Sequence, residues 1–302
     1  MPPTVSVSAP VRALLAGAVD YAGLFPPANL DLTRALDEYL SVRATDERWA
    51  LGRFVLPVAT LGELARALHQ GRFLPEGSLP IPLAAVIGPV LLDDIRTIER
   101  FNRECAGAVA VEAVEVKAPT PDAVRHALAS LPARWIRYVE VPPAAALPDL
   151  LDALKEGGAF AKLRTGGVTP DAFPGPDAVL DFLEGCARRR LPFKATAGLH
   201  HPVRGEYRLT YAPDAETAPM YGYLNLIGAA AVLWTGHSRA EAREVLLASA
   251  PEAFRFEAGG LRMLGRLMSA DTLTSVRSEF AHGFGSCSFR EPLDELAPLA
   301  TT

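Results

Sequence analysis

This sequence predicts an α/β fold closed into a single (β/α)8 TIM barrel, and three observations carry that expectation. Short apolar, β-branched runs alternate with longer amphipathic segments along most of the 302 residues. From Arg53 onward the runs start about 24 to 33 residues apart, near the roughly 31 residues per unit of an eight-unit barrel. Runs such as FVLPV and LAAVIG are continuously apolar, as parallel strands covered on both faces are. The alternative is a doubly wound open sheet, but no G-x-G-x-x-G follows an early strand.

The strands expected in order are residues 19–25, 53–58, 83–88, 109–117, 135–141, 160–164 and 192–197. The eighth is drawn either from residues 254–263 or from residues 284–289, while residues 220–234 read as helical. Helix starts are marked by Thr60 with Glu63 and by Ser238 with Glu241, both T/S-x-x-E capping boxes, and by Pro121 after Thr120. Residues 91–105 space Ile95, Ile98 and Phe101 as a helical stripe. Residues 1–302 therefore form one barrel domain with a short N-terminal extension and an irregular C-terminal tail.

Composition narrows the function classes. A net charge of −5 and a pI near 5.7 are opposite to a nucleic-acid footprint. The longest apolar run, residues 79–92, contains three prolines and is too short for a membrane span. The start of the chain lacks the charged and apolar regions of a signal peptide. Cys105, Cys186 and Cys287 are scattered and unpaired in spacing, which suits a reducing compartment. The expectation is a cytoplasmic protein with a small-molecule substrate, no nucleic-acid or membrane partner, and apolar helices compatible with a homo-oligomer. Of 30 basic residues, 26 are Arg and four are Lys: Lys117, Lys155, Lys162 and Lys194. Where only positive charge is needed Arg serves, so a retained Lys marks a place where a neutral amine is useful.

A barrel gathers its chemistry at the C-terminal ends of its strands. The polar residues there are Asp20, then Glu115 and Lys117, Glu140, then Lys162, Arg164 and Thr165, and finally Lys194, Thr196, His200 and His201. Three of the four lysines fall in this set; Lys155 sits on a helix end before Gly157 and Gly158 and needs only solvation. Arg164-Thr165-Gly166-Gly167 offers a guanidinium and turn amides to a phosphate or carboxylate, against the alternative of a tight turn with a surface ion pair.

Lys162-Leu163-Arg164-Thr165-Gly166-Gly167 and Lys194-Ala195-Thr196-Ala197-Gly198-Leu199 place two lysines in similar frames before glycine turns. Over about 40 residues this resembles the paired motifs K-x-x-T-G and K-A-S-G-G-I-R of class I deoxyribose-phosphate aldolases. The resemblance implies a (β/α)8 lyase in which Lys162 forms a Schiff base, Lys194 perturbs it electrostatically, and amides near the glycines hold an anion. Two adjacent ammonium groups would favour one amine staying neutral. The chain departs from the motifs at Arg164 and His200, and the proton relay would fall to Glu115 or Glu140. The longer signatures DYAGLFPPA, KLRTGG, FKATAGLHHP and FGSCSFREP also resemble a group of uncharacterised bacterial proteins, which implies no function.

The leading expectation is an aldolase-type lyase that needs no cofactor and acts on a small anionic oxo compound. A second reading is a metal-assisted lyase or isomerase in which Glu115, Glu140 and His200 hold a divalent ion. A third is a ligand-binding barrel without catalysis, acting as a sensor or structural subunit, which expects Lys162 and Lys194 as ion-paired side chains far apart with no shared pocket. Ser286-Cys287-Ser288 lacks a G-x-S-x-G elbow and reads as a turn; Asn225 reads as a satisfied helix residue.

Overall fold

The computed structural model describes residues 7–70, 80–144 and 146–300. After a short helix at Ala9–Leu15, seven strands follow: β1 (Val19–Tyr21), β2 (Leu51–Pro57), β3 (Ile81–Val86), β4 (Val109–Lys117), β5 (Ile136–Glu140), β6 (Phe160–Arg164) and β7 (Phe193–Thr196). Each pairs in parallel with the next in sequence. Beyond β7 come a hairpin of β8 (Gly205–Arg208) and β9 (Thr217–Met220) and the helices Tyr223–Trp234 and Arg239–Leu247. A three-stranded antiparallel sheet of β10 (Phe254–Glu257), β11 (Gly260–Met263) and β12 (Arg266–Ser269) follows. The last strand, β13 (Ala281–Ser286), runs parallel between β7 and β1 and closes the eight-stranded barrel. The expected (β/α)8 architecture is therefore the observed one.

Two expectations about strands need correction. Residues 254–263 form two antiparallel strands outside the barrel; Phe254 and Phe256 are buried while Arg255 between them is exposed, the alternation of a one-sided sheet. The eighth barrel strand is 281–286, so the 284–289 candidate overlaps it by three residues before the chain leaves the sheet. The first strand also ends at Tyr21 rather than at residue 25, because the Phe25 N–H turns back to the Ala22 carbonyl. Gly283 explains why β13 reads weakly: at φ +152° its Cα lies so near β1 that an added Cβ would sit 2.4 Å from the Ala18 oxygen.

Helix starts follow the chemistry of the first turn. Thr120 Oγ1 accepts from the Ala123 N–H, with Pro121 in the first turn, and the Ser238–Glu241 box is fully formed. The Thr60 box is not: Thr60 is already in the helical region and its hydroxyl donates to the Pro57 carbonyl. Helix Leu91–Glu104 buries Ile95, Ile98 and Phe101, as the apolar stripe requires. The Tyr223–Trp234 helix is buried almost throughout, and Asn225 on it is satisfied by the Arg204 N–H and the Val245 and Ala248 carbonyls.

The main core lies between the strands and the outer helices. Inside the barrel a smaller cluster of Val55, Ala84, Ala113 and Tyr138 fills the lower layer. The two alanines on β3 and β4 leave room there for the Tyr138 ring. Above that layer the interior changes from apolar to charged. Among the described residues no helix is long and apolar enough to cross a membrane.

Candidate active site

The strand register assembles the site. Glu140, Lys162 and Lys194 are Cα partners across β5, β6 and β7, so they form one row around the wall. Lys117 pairs with Glu140, and Glu115, two residues earlier on β4, pairs with Tyr138 one layer down. Alternation along each strand sends Glu115 with Lys117, and Lys162 with Arg164, to the same face.

Glu115 bridges the two lysines. Its Oε2 is 2.6 Å from Lys162 Nζ and its Oε1 accepts from Lys194 Nζ at 2.7 Å. Lys194 also donates to Asp20 Oδ2 at 2.5 Å, and Asp20 Oδ1 accepts from the Arg53 N–H at 2.7 Å, which fixes the carboxylate on β1. On the other side Lys162 Nζ is 2.9 Å from Glu140 Oε2. That oxygen makes no well-angled hydrogen bond, so the contact is a charge contact of poor alignment. Glu140 Oε1 accepts from Arg164 Nε at 3.0 Å, and Lys117 Nζ stands 3.7 Å away. Asp20, Glu115, Lys162 and Lys194 are all buried.

Burial alone would raise the carboxyls and lower the ammonium groups. The charges outweigh it. Lys162 and Lys194 hold Glu115 down at about 2, and Lys162 with Arg164 lowers Glu140. Lys194 is raised by Asp20 and Glu115. The expectation that adjacent ammonium groups would keep one amine neutral is thus altered: a carboxylate stands between them, and Lys194 is held charged. Beneath it, Lys194 Nζ lies 5.3 Å from the Tyr138 ring centroid, and the Tyr138 hydroxyl shares a 2.9 Å hydrogen bond with His282 Nδ1.

The charged row floors a cavity of about 710 Å³ walled by Phe25, Val55, Val86 and Gly285, with Lys117 and Arg164 towards its rim. Arg164 engages Glu140 through Nε, and its terminal amino groups carry no hydrogen bond among the described residues. A second cavity of about 350 Å³ lies beside it under the β8–β9 hairpin, and Gly167 and His200 border both.

The other expected residues are placed as follows. Thr196 lines the larger cavity. Thr165 turns inward, its hydroxyl donating to the Ala197 carbonyl at 2.6 Å, so it ties the loops after β6 and β7 together. Gly166 serves the same join, since a Cβ there would be 2.5 Å from the Phe173 ring and 3.1 Å from the Gly198 Cα. His201 stacks on Tyr207 and pairs with Glu295 at 2.8 Å. Lys155 is exposed and donates to the Arg190 carbonyl.

His200 does not join Glu115 and Glu140 as one donor set. It pairs with Glu291 at 3.1 Å, both glutamates contact lysines, and no group of three metal-ligating side chains occurs among the described residues. Sequence reasoning missed Tyr138, Tyr211, Ser286, Cys287 and Glu291. Ser286 ends β13 and Cys287 follows it into the cavity wall, so the stretch read as a turn is a barrel strand end. The available signal is the polar SCS run after AHGFG, inside the 284–289 candidate for the eighth strand.

No protein-family model matches this chain, and no curated protein matches it.

Proposed function

We propose that this barrel is an aldolase-type lyase that binds a small anionic oxo compound and forms a Schiff base on Lys162. One observation carries the reading: two lysines from adjacent strands meet the two oxygens of one buried carboxylate at the floor of a ligand-sized cavity. A ligand-binding barrel without chemistry expects no such shared pocket. Maintaining five charges here, Asp20, Glu115, Glu140, Lys162 and Lys194, costs desolvation that an apolar lining would avoid.

Lys162 is the better nucleophile because its contact with Glu140 is poorly aligned, whereas Lys194 donates hydrogen bonds to two carboxylates. For attack, Lys162 passes a proton to Glu115 or Glu140. The amine adds to the carbonyl carbon, the carbonyl oxygen takes one proton from the nitrogen and the one held by the glutamate and leaves as water, and a protonated imine remains. That cation takes up the electron pair when the neighbouring carbon–carbon bond breaks. Lys194 stays an ammonium throughout, held by Asp20 and Glu115. Lys117, Lys162, Arg164 and Lys194 exceed Asp20, Glu115 and Glu140 by one positive charge, which favours an anionic substrate at the Arg164 and Lys117 rim.

The test is turnover of hydroxylated oxo compounds bearing a phosphate or carboxylate, with and without borohydride. The expected result is cleavage that borohydride abolishes irreversibly only when substrate is present. Turnover that survives borohydride would sink the imine mechanism.

A further inference from the structure

The cavity wall holds a second constellation that the lysine chemistry does not use. Cys287, just past the end of β13, lines the same cavity as Lys162 and Arg164. Four segments bring polar groups to it. His200 from the loop after β7 sets Nδ1 at 3.9 Å and Nε2 at 4.0 Å from the sulfur. Tyr211 from the β8–β9 hairpin places its hydroxyl 3.6 Å from the sulfur. Glu291, in the helix Arg290–Asp294, holds His200 Nδ1 at 3.1 Å, and Ser286 Oγ is 3.3 Å from the same nitrogen.

We infer that Cys287 is a second nucleophile of the cavity, with His200 and Glu291 as its charge partners, and that it takes soft carbon electrophiles of the α,β-unsaturated carbonyl class. The contact is not a linear hydrogen bond, because the sulfur is nearly equidistant from the two ring nitrogens. Burial would lower the His200 imidazole, but contact with Cys287 and Glu291 pushes it up to about 10, so the ring carries positive charge at neutral pH. A cation at this distance stabilises negative charge developing on sulfur, as in other reactive cysteine sites. Lys162 and Arg164 in the same cavity can donate to the carbonyl oxygen of such a ligand. The other two cysteines lack this setting. Cys186 is fully buried on a helix, and Cys105 ends one; neither borders this cavity.

In the addition the sulfur bonds to the β-carbon, and the carbon–carbon π pair moves to the α-carbon. That carbon takes up the proton lost by the thiol, through His200 or water, so there is no leaving group and no oxidant. The inference does not rest on the imine reading, because no oxo substrate enters the test.

The experiment is alkylation of the folded full-length protein by limiting acrylamide at neutral pH, with peptide mass mapping of all three cysteines. The same Cys287 peptide in the urea-unfolded chain supplies its intrinsic rate. Folded Cys287 is expected to react about tenfold faster than in the unfolded chain. His200→Gln and Glu291→Gln are each expected to remove that advantage while far-UV dichroism stays native. A folded rate no higher than the unfolded one overturns the proposal without any variant. An advantage unchanged in both folded variants overturns the assignment of His200 and Glu291.

Discussion

Glu115 contacts both lysines, and its removal has the largest expected effect of any single side chain here. Glu115→Gln keeps the shape and removes the charge, leaving two buried ammonium groups short of a partner. The expected cost is about 3–5 kcal/mol, read by urea denaturation. The same carboxyl sets an acid limit. Its folded value near 2 lies below the ordinary 4.3, so its contribution is complete above about pH 4.3 and is lost as the pH falls towards about 2. His200 acts at the other end of the scale. Its folded value near 10 lies above the ordinary 6.5, so its contribution is complete below about pH 6.5 and disappears as the pH rises through about 10. Urea midpoints measured between those pH values should fall in the native protein and flatten in His200→Gln. At this scale the lysines were legible because Lys is so scarce in an Arg-rich chain. Glu291 was not, because nothing in sequence spacing signals a helix 91 residues after His200 that folds back onto it.

At the scale of elements, local chemistry and tertiary closeness each decide some outcomes. Ser238 and Thr60 open similar sequence patterns, yet only Ser238 caps its helix. Ser238→Ala is expected to cost about 1 kcal/mol, and Thr60→Ala at most about half that, by thermal or urea unfolding. The seven early strands were readable because parallel strands covered on both sides are largely apolar, and six of them lie within two residues of expectation at both termini; only the first, expected over 19–25, ends early. β13 escaped because barrel closure demands glycine where strand propensity would demand a branched residue. Gly283→Ala should therefore disrupt the β1–β13 seam, lowering stability by about 2 kcal/mol or more. Its expression yield and urea midpoint would report this.

For the whole molecule, the long excursion from β7 to β13 supplies what the other connections do not. Its hairpin roofs the second cavity, and its antiparallel sheet carries the aromatic run that imitated a barrel strand. The barrel itself puts three carboxylates and four cations around one cavity, although they come from β1, β4, β5, β6 and β7. Sequence spacing named the strand ends that bear these groups, but the carboxylate standing between the lysines emerges only from strand register. The lyase reading stands on an imine at Lys162. Its most direct measurement is peptide mapping after borohydride trapping with a turned-over oxo compound, in the native protein and in Lys162→Gln and Lys194→Gln. The adduct should sit on Lys162 in the native protein, persist there at a reduced rate in Lys194→Gln, and be absent from Lys162→Gln. An adduct on Lys194 alone, or no adduct on either lysine during turnover, would contradict it.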